Sequence, residues 1–201
     1  MDEKIPSQHT GAYSDTLSEV KFNTQEEAAK HFEIVKKRFL NVNGWEKIAG
    51  EEKAEFALCN SDGKVLSAEP EVGNYLRIKI PGPHNPTGEG FDWVKIEAVE
   101  KEKNTHYESI YIRVRPAENP TAPNEKTAHF FDEKATSNFL IKRQGSIIVA
   151  EVHGRNEVPN TNEELSLVEK IRNGLVAIGG IIAGSKFQWK SLTEGLIKYE
   201  K

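Results

Sequence analysis

Three segments in the middle of the chain alternate apolar and polar residues with a period of two. They are YLRIKI (75–80), DWVKIEAV (92–99) and SIYIRVRP (109–116). A period of two is the side-chain repeat of a β-strand. The links between the segments are too short for the crossover helix that a parallel pair requires. The pattern therefore predicts neighbouring antiparallel strands.

Five further segments are bounded by turn residues and rich in the residue types typical of strands. They are AEFALCN (54–60), KVLSAEP (64–70), TAHFF (127–131), SNFLIKR (137–143) and SIIVAEVHG (146–154). Some of these are short, so we expect a sheet of six to eight strands in mostly antiparallel order.

Helical patterns flank this β-region on both sides. Thr24 and Glu27 form a capping-box sequence, and an apolar stripe follows it, ending where Asn43 and Gly44 provide C-cap residues. The stripe consists of Ala28, Phe32, Val35 and Phe39. Near the C-terminus, two stretches with helical spacing cover residues 163–180 and 185–200.

The predicted fold class is α+β, with a curved antiparallel β-sheet or partial barrel. The N-terminal helix and the C-terminal helices pack on this sheet. Residues 1–20 are polar without periodicity and are expected to form a flexible arm. Residues 21–201 are expected to form a single domain.

The three alternating strands would present two different faces. One face would be core, made of Leu76, Ile78, Ile80, Val94, Ile96, Ala98, Ile110, Ile112 and Val114. On the other face each strand has an aromatic residue followed two positions later by a cation. These residues are Tyr75, Arg77, Trp93, Lys95, Tyr111, Arg113 and Arg115.

This aromatic–cationic face has three interpretations. It is a solvated sheet surface stabilised by cross-strand pairs, a recognition surface that stacks planar groups and holds anions, or a face covered by the terminal helices or another subunit. The recognition surface is the functional hypothesis, and its seven residues are the first ligand-binding candidates.

Two loops add candidates. The segment 81–90 is long for a hairpin connection, contains three prolines, and includes His84. The segment 149–160 places His153, Arg155 and Glu157 in a turn-like run, where His153 and Glu157 would suit acid–base chemistry and Arg155 would hold a carboxylate. Loop stiffness and turn chemistry are the structural alternatives for the two segments.

Charge and composition restrict the partners. The net charge is −4, which disfavours an extended nucleic-acid groove, so we expect a small molecule or a protein as partner. The longest weakly polar run, 174–184, has eleven residues, whereas a membrane span needs about 20. Cys59 is the one cysteine in the sequence, which fits a cytoplasmic location.

Neither a metal nor a cofactor is predicted. The six histidines lack the HxH and HExxH spacings of local metal sites, and the sequence contains no phosphate-binding glycine loop.

The sequence therefore favours a non-enzymatic binding protein. Its ligand would lie on the aromatic–cationic face or in a cavity between the sheet and the C-terminal helix. One alternative is an assembly subunit that forms a homo-oligomer through a C-terminal helix rich in glycine, including Gly180 and Gly184. The second alternative is an enzyme that uses His84 or His153 with nearby acids, although an enzyme is less favoured.

Overall fold

In the computed structural model, a single antiparallel sheet forms the centre of the protein. The structure describes residues 4–50, 54–80, 85–122, 126–161, 166, 170, 171, 173 and 181–200, and of 181–188 the backbone alone. Within this part of the chain the sheet has seven strands in the order β1-β7-β6-β5-β4-β3-β2. The strands are β1 Ala12–Lys21, β2 Glu55–Cys59, β3 Tyr75–Lys79, β4 Asp92–Lys103, β5 Tyr107–Pro116, β6 Thr136–Gln144 and β7 Ile147–Glu157.

The α-helices that accompany the sheet include α1 Gln25–Leu40, α2 Trp45–Ala49 and α3 Ile181–Ile197. The predicted capping box is present, because Thr24 Oγ1 accepts from Glu27 N at 3.1 Å and Glu27 Oε2 accepts from Thr24 N at 3.3 Å. Helix α1 ends at Leu40, and the segment after it forms a 3-10 turn and then α2. The predicted fold class, an α+β chain with terminal helices on an antiparallel sheet, is confirmed.

Two predicted strands do not form. Val65 of KVLSAEP makes an isolated bridge to Cys59, and Phe131 of TAHFF makes one to Pro159. TAHFF instead uses its polar groups locally, since Phe131 N donates to His129 Nδ1 at 3.0 Å. In both segments the pairing stops at this single bridge and does not extend into a ladder.

The flexible arm predicted for residues 1–20 is wrong for its second half, because Ala12–Lys21 forms the edge strand β1. Its inward side chains include Ser14, Thr16 and Ser18, all buried. Ser18 Oγ lies 2.8 Å from Thr193 Oγ1 of α3. Small polar residues can therefore form a buried strand face, with Ser18 finding a hydroxyl partner in the neighbouring helix.

A β-bulge in β4 makes the prediction wrong for one residue of the core face, Ala98. Ile96 pairs with Val114 of β5, but the register shifts so that Ala98 pairs with Arg113 and Val99 with Ile112. Directly opposed residues share a face, so Ala98 lies on the outer face and Val99 takes the inward position. An extra residue in one strand reverses the alternation that follows it.

The inner face of the sheet packs against the helices through aromatic side chains. Trp45 of α2 is fully buried, and its ring centroid lies 5.0 Å from that of Phe139 on β6. The Phe139 ring lies 5.5 Å from that of Trp189 on α3, and Trp45 Nε1 donates to Phe39 O at 3.0 Å. Helices α1, α2 and α3 therefore meet the sheet in one apolar core.

Helix α3 is held at its C-terminal end by α1 and α2. An added Cβ at Gly195 would lie 2.6 Å from Ile48 Cγ2, so only glycine fits this contact. Arg38 NH1 donates to Leu196 O at 3.1 Å and to Lys198 O at 2.7 Å, which is favourable for a cation beside carbonyls at a helix C-terminus. No helix among the described residues has the length and apolar character to cross a membrane.

Candidate functional site

The sheet brings the predicted aromatic and cationic residues together on its outer face, opposite the helices. Lys95 of β4 pairs with Tyr75 of β3 on one side and with Arg115 of β5 on the other. Arg77 pairs with Trp93. The cross-strand grouping expected from the alternation is therefore present.

The rings on this face are buried by the protein's own chain. Tyr75 is 8% exposed, Trp93 2% and Tyr111 0%. Trp93 Nε1 donates to Gly88 O at 3.2 Å, so the described part of the 81–90 loop packs over the indole. Trp93 and Tyr111 therefore have no exposed ring face on which a ligand could stack, contrary to the stacking role that the sequence predicts for them.

Two cations of the face lie over aromatic rings and are thereby fixed in place. Arg77 Cζ lies 4.5 Å from the centroid of the Phe91 ring, and Lys95 Nζ lies 5.6 Å from that of Tyr75. Contacts of this kind stabilise a cation by about 0.5–1 kcal/mol at exposed sites. Both side chains remain at least partly open to solvent.

The bulge in β4 turns Glu97 toward two arginines of β5. Glu97 Oε2 lies 3.2 Å from Arg113 Nε, and Glu97 Oε1 lies 2.5 Å from Arg115 Nε. Arg115 NH1 also donates to Glu133 O at 2.7 Å. The arginine side chains stay 32% and 35% exposed.

We call Arg77, Lys95, Arg113 and Arg115 the cationic patch. The patch carries four positive charges, and the carboxylate of Glu97 contacts two of them, those of Arg113 and Arg115. A chain with a net charge of −4 therefore concentrates positive charge on one part of its outer sheet face.

A segment that crosses the outer face, residues 4–10, is called the N-terminal strap. Lys4 Nζ lies 2.9 Å from Glu100 Oε2 and 2.7 Å from Glu102 Oε1. Burial alone would lower the pKa of Lys4, but its hydrogen bonds to Glu102 and Glu100 raise it. The strap therefore places one positive charge between the carboxylates of Glu100 and Glu102.

Beneath the strap, Tyr111 is closed off from solvent. Its hydroxyl lies 2.6 Å from Asn138 Oδ1 and 2.9 Å from Lys4 O. Burial raises the pKa of Tyr111 to about 12. Tyr111, which the sequence predicts to bind a ligand, is thus buried and hydrogen-bonded within the chain.

The far end of the strap is tied to β7 through Asn156, which has a positive φ of 56°. Its side-chain oxygen accepts from His9 N at 2.7 Å and from Thr10 N at 3.1 Å. Asn156 N donates to Gln8 Oε1 at 2.9 Å. Asparagine tolerates this left-handed conformation better than most residues.

The predicted candidates His153 and Arg155 belong to a row of charges that we call the ion chain, comprising Lys142, Glu151, His153, Asp15 and Arg155. Lys142 Nζ lies 2.7 Å from Glu151 Oε1. His153 Nε2 lies 2.9 Å from Glu151 Oε2, and His153 Nδ1 lies 2.5 Å from Asp15 Oδ1. Arg155 NH1 lies 2.7 Å from Asp15 Oδ1.

The position of His153 between two carboxylates determines its protonation. Burial would lower the pKa of His153, but its hydrogen bonds to Glu151 and Asp15 raise it. Hydrogen bonds from His153 likewise lower the pKa of Glu151 and of Asp15, against the effect of burial. An imidazole with both nitrogens engaged by carboxylates is a poor general base.

The partner proposed for His153 in acid–base chemistry lies elsewhere. The Glu157 carboxylate contacts Ser14 Oγ at 3.4 Å and sits against Gly154. Ser14 and Gly154 are paired residues of the inner face, so Glu157 and His153 lie on opposite sides of the sheet. Arg155 does hold a carboxylate, but the carboxylate is that of Asp15 in the same chain.

His84 lies outside the described residues. The described part of its loop is anchored by buried polar contacts, with Asn85 Nδ2 donating to Asp92 Oδ1 at 3.1 Å and Gly90 N donating to Asn85 O at 2.7 Å. Throughout the described chain, no group of three or more metal-ligating side chains is placed to hold an ion.

The space expected to hold a ligand between the sheet and the C-terminal helix is occupied by Trp45, Phe139 and Trp189 at its described end. Beside it, a groove of about 660 Å³ opens between β1 and the end of α3, lined by Phe22, Lys190 and Tyr199 among others. Gly195 serves packing within the chain, Gly180 lies outside the described residues, and Gly184 is described only in its backbone.

Comparisons with known proteins support the fold. No protein-family model matches the sequence, and no curated protein does. The structure is similar to that of a hypothetical protein from Helicobacter pylori, with a TM-score of 0.52, 11% identity, and coverage of 94% of this chain and 87% of that one. At this identity the similarity concerns the fold alone.

Two further solved structures align over most of the chain at lower TM-scores. Truncated norcoclaurine synthase from Thalictrum flavum aligns with a TM-score of 0.40 and 9% identity, over 97% of this chain and 100% of that one. A major latex-like protein from Panax ginseng aligns with a TM-score of 0.36 and 10% identity, over 93% and 97%. We draw no functional conclusion from either.

Proposed function

We propose that this chain is a non-enzymatic interaction protein and that the cationic patch binds an acidic segment of a protein partner. The observation that carries the proposal is the excess of positive charge on the patch, where Arg113 and Arg115 share Glu97 while Arg77 and Lys95 lie over aromatic rings. Guanidinium groups form paired hydrogen bonds with carboxylates, which suits an acidic polypeptide.

The geometry of the patch supports a macromolecular partner. The four cations belong to three adjacent strands, so they lie on a broad sheet surface. Contacts with Phe91 and Tyr75 hold Arg77 and Lys95 in place before binding, which reduces the side-chain entropy lost on association. Opposite charge on the partner would also speed the encounter.

A charge-matched pair of variants tests the proposal. The probe is a fluorescently labelled oligoglutamate peptide, and binding is followed by anisotropy at low and moderate salt. Arg113→Gln with Arg115→Gln should weaken binding about tenfold or more, since each lost charged hydrogen bond contributes about 1.5–3 kcal/mol. Lys30→Gln with Lys47→Gln, two exposed residues away from the patch, should change binding less than about twofold, within the range of surface substitutions.

The same variants provide their own structural control. Because Arg113 and Arg115 are partly exposed, the melting temperature of the variant that lacks both should stay close to that of the unaltered protein. Equal losses of binding in the two double variants would show a nonspecific charge effect and overturn the proposal. A large loss of stability in the arginine variant would make those residues structural.

We further propose a cytoplasmic location. In support, Cys59 is a free thiol, and reducing compartments such as the cytoplasm keep cysteines in that form.

A further inference from the structure

The ion chain joins three strands through side chains on the outer face. Asp15 comes from the edge strand β1, Glu151, His153 and Arg155 from β7, and Lys142 from β6. In the same cross-strand row, Asn138 separates His153 from Arg113 of β5. His153 is the member of the chain whose ordinary pKa lies nearest to neutral pH.

The protonation state of His153 determines whether it can hydrogen-bond to both Glu151 and Asp15 or to only one of them. The imidazolium ring has two N–H donors, one for each carboxylate, whereas the neutral ring has a single donor. When the proton leaves, one nitrogen lone pair faces a carboxylate oxygen at a distance of 2.5–2.9 Å. That contact is repulsive, so one carboxylate must move away.

Differences in burial show which carboxylate moves. The Asp15 side chain is 46% exposed and the Glu151 side chain is 7% exposed. Asp15 regains water when it moves outward, while Glu151 is enclosed and remains paired with Lys142. Arg155 still holds Asp15, so the edge strand loosens without detaching.

We propose that His153 is a pH-sensitive latch on the edge strand: its protonated form clamps β1 to β7 through Asp15, and its neutral form loosens β1 together with the N-terminal strap that leads into it. Loosening of β1 weakens the cover over the edge of β7, since β1 is the neighbour of β7 at that side of the sheet. This latch operates independently of the cationic patch.

The direction of the pH effect follows from linkage between protonation and folding. The folded-state pKa of His153 is raised above its ordinary value of 6.5. The stabilisation is therefore fully present below about pH 6.5 and is lost as the pH rises through the folded-state pKa. Loosening of β1 is thus expected as the pH rises above about 6.5 and passes through the folded-state pKa of His153.

Amide hydrogen exchange of the full chain, followed by NMR from about pH 6 to about pH 9, tests the latch. After correction for the intrinsic pH dependence of exchange, protection of the amides of Tyr13 to Leu17 should fall about tenfold relative to the central strand β5. In His153→Gln this extra fall should be absent. In His106→Gln, which alters an exposed histidine paired with Gln25, it should persist.

Two results would overturn the latch. One is an unchanged pH dependence of β1 protection in His153→Gln. The other comes from the unaltered protein, which decides the question even if His153→Gln does not fold. There the midpoint of the His153 ring titration must coincide with the midpoint of β1 loosening, and separate midpoints contradict the proposal.

Discussion

The two faces of the sheet are built from alternate residues of the same strands, yet they are closed in different ways. The inner face is covered by helices through apolar contacts, with Trp45, Phe139 and Trp189 at its centre. The outer face is covered by the chain's own loops and strap, and its polar groups bind one another. Tyr111 and Asn138 illustrate this, since both are buried and hydrogen-bonded.

The comparison teaches that an alternating polar face is not necessarily a solvated face. Most aromatic and ionic groups on the outer face contact other groups of the same chain. His153 and Arg155, for example, form ion pairs within the ion chain. The cations of the patch remain partly exposed, and for that reason they alone carry the functional proposal.

The largest effect should follow removal of the central inner-face aromatic. Trp45→Ala removes a fully buried side chain that contacts Phe39, Phe56 and Phe139. We expect a loss of about 3–5 kcal/mol in the free energy of unfolding, measured by chemical denaturation.

A parallel change on the outer face sharpens this test. Trp93→Ala should cost less than Trp45→Ala, because Trp93 is covered by a loop and by a small satellite cluster that includes Cys59 and Ala128. An equal or greater loss at Trp93 would mean that the outer face is a second core of the same importance.

An intermediate effect is expected where α3 approaches α2. Gly195→Ala places a methyl group against Ile48 and should lower the unfolding free energy by about 2–3 kcal/mol through overpacking. Glu194→Ala, at the exposed neighbouring position, is the control and should change stability by less than about 0.5 kcal/mol. Equal values for the two variants would show that the helix contact is loose.

The smallest effect is expected under the strap. Tyr111→Phe removes a hydroxyl and leaves Asn138 Oδ1 without that partner, which should cost about 1–2 kcal/mol. Tyr13→Phe, at a residue that is 62% exposed, should cost almost nothing. Equal unfolding free energies for the two variants would contradict this prediction. They would mean that the outer face is solvated, as its simple alternation of residues suggests.

Much of the fold was predictable from local patterns. The capping box at Thr24 and Glu27 marked the start of α1, and the alternation of YLRIKI and SIYIRVRP identified the core-facing residues of β3 and β5. These predictions succeeded because helix caps and strand periodicity depend on residues close in sequence.

Other features had no local signal. Strand β1 carries Ser14, Thr16 and Ser18 on its inner side, and a polar strand of this kind is indistinguishable from an arm until α3 supplies Thr193 as a hydroxyl partner. The bulge at Glu97 and Ala98 depends on pairing with β5. The partnership of Asp15 with His153 joins residues far apart in the chain.

The amino-acid order alone therefore specified the element types, the antiparallel arrangement and the residues that form a cationic face. Which of those residues remain accessible was settled by tertiary contacts, because exposure depends on what the rest of the chain places over a side chain. Trp93 and Lys95 show the difference: they are two positions apart on one strand face, yet Trp93 is buried beneath a loop and Lys95 remains in solvent.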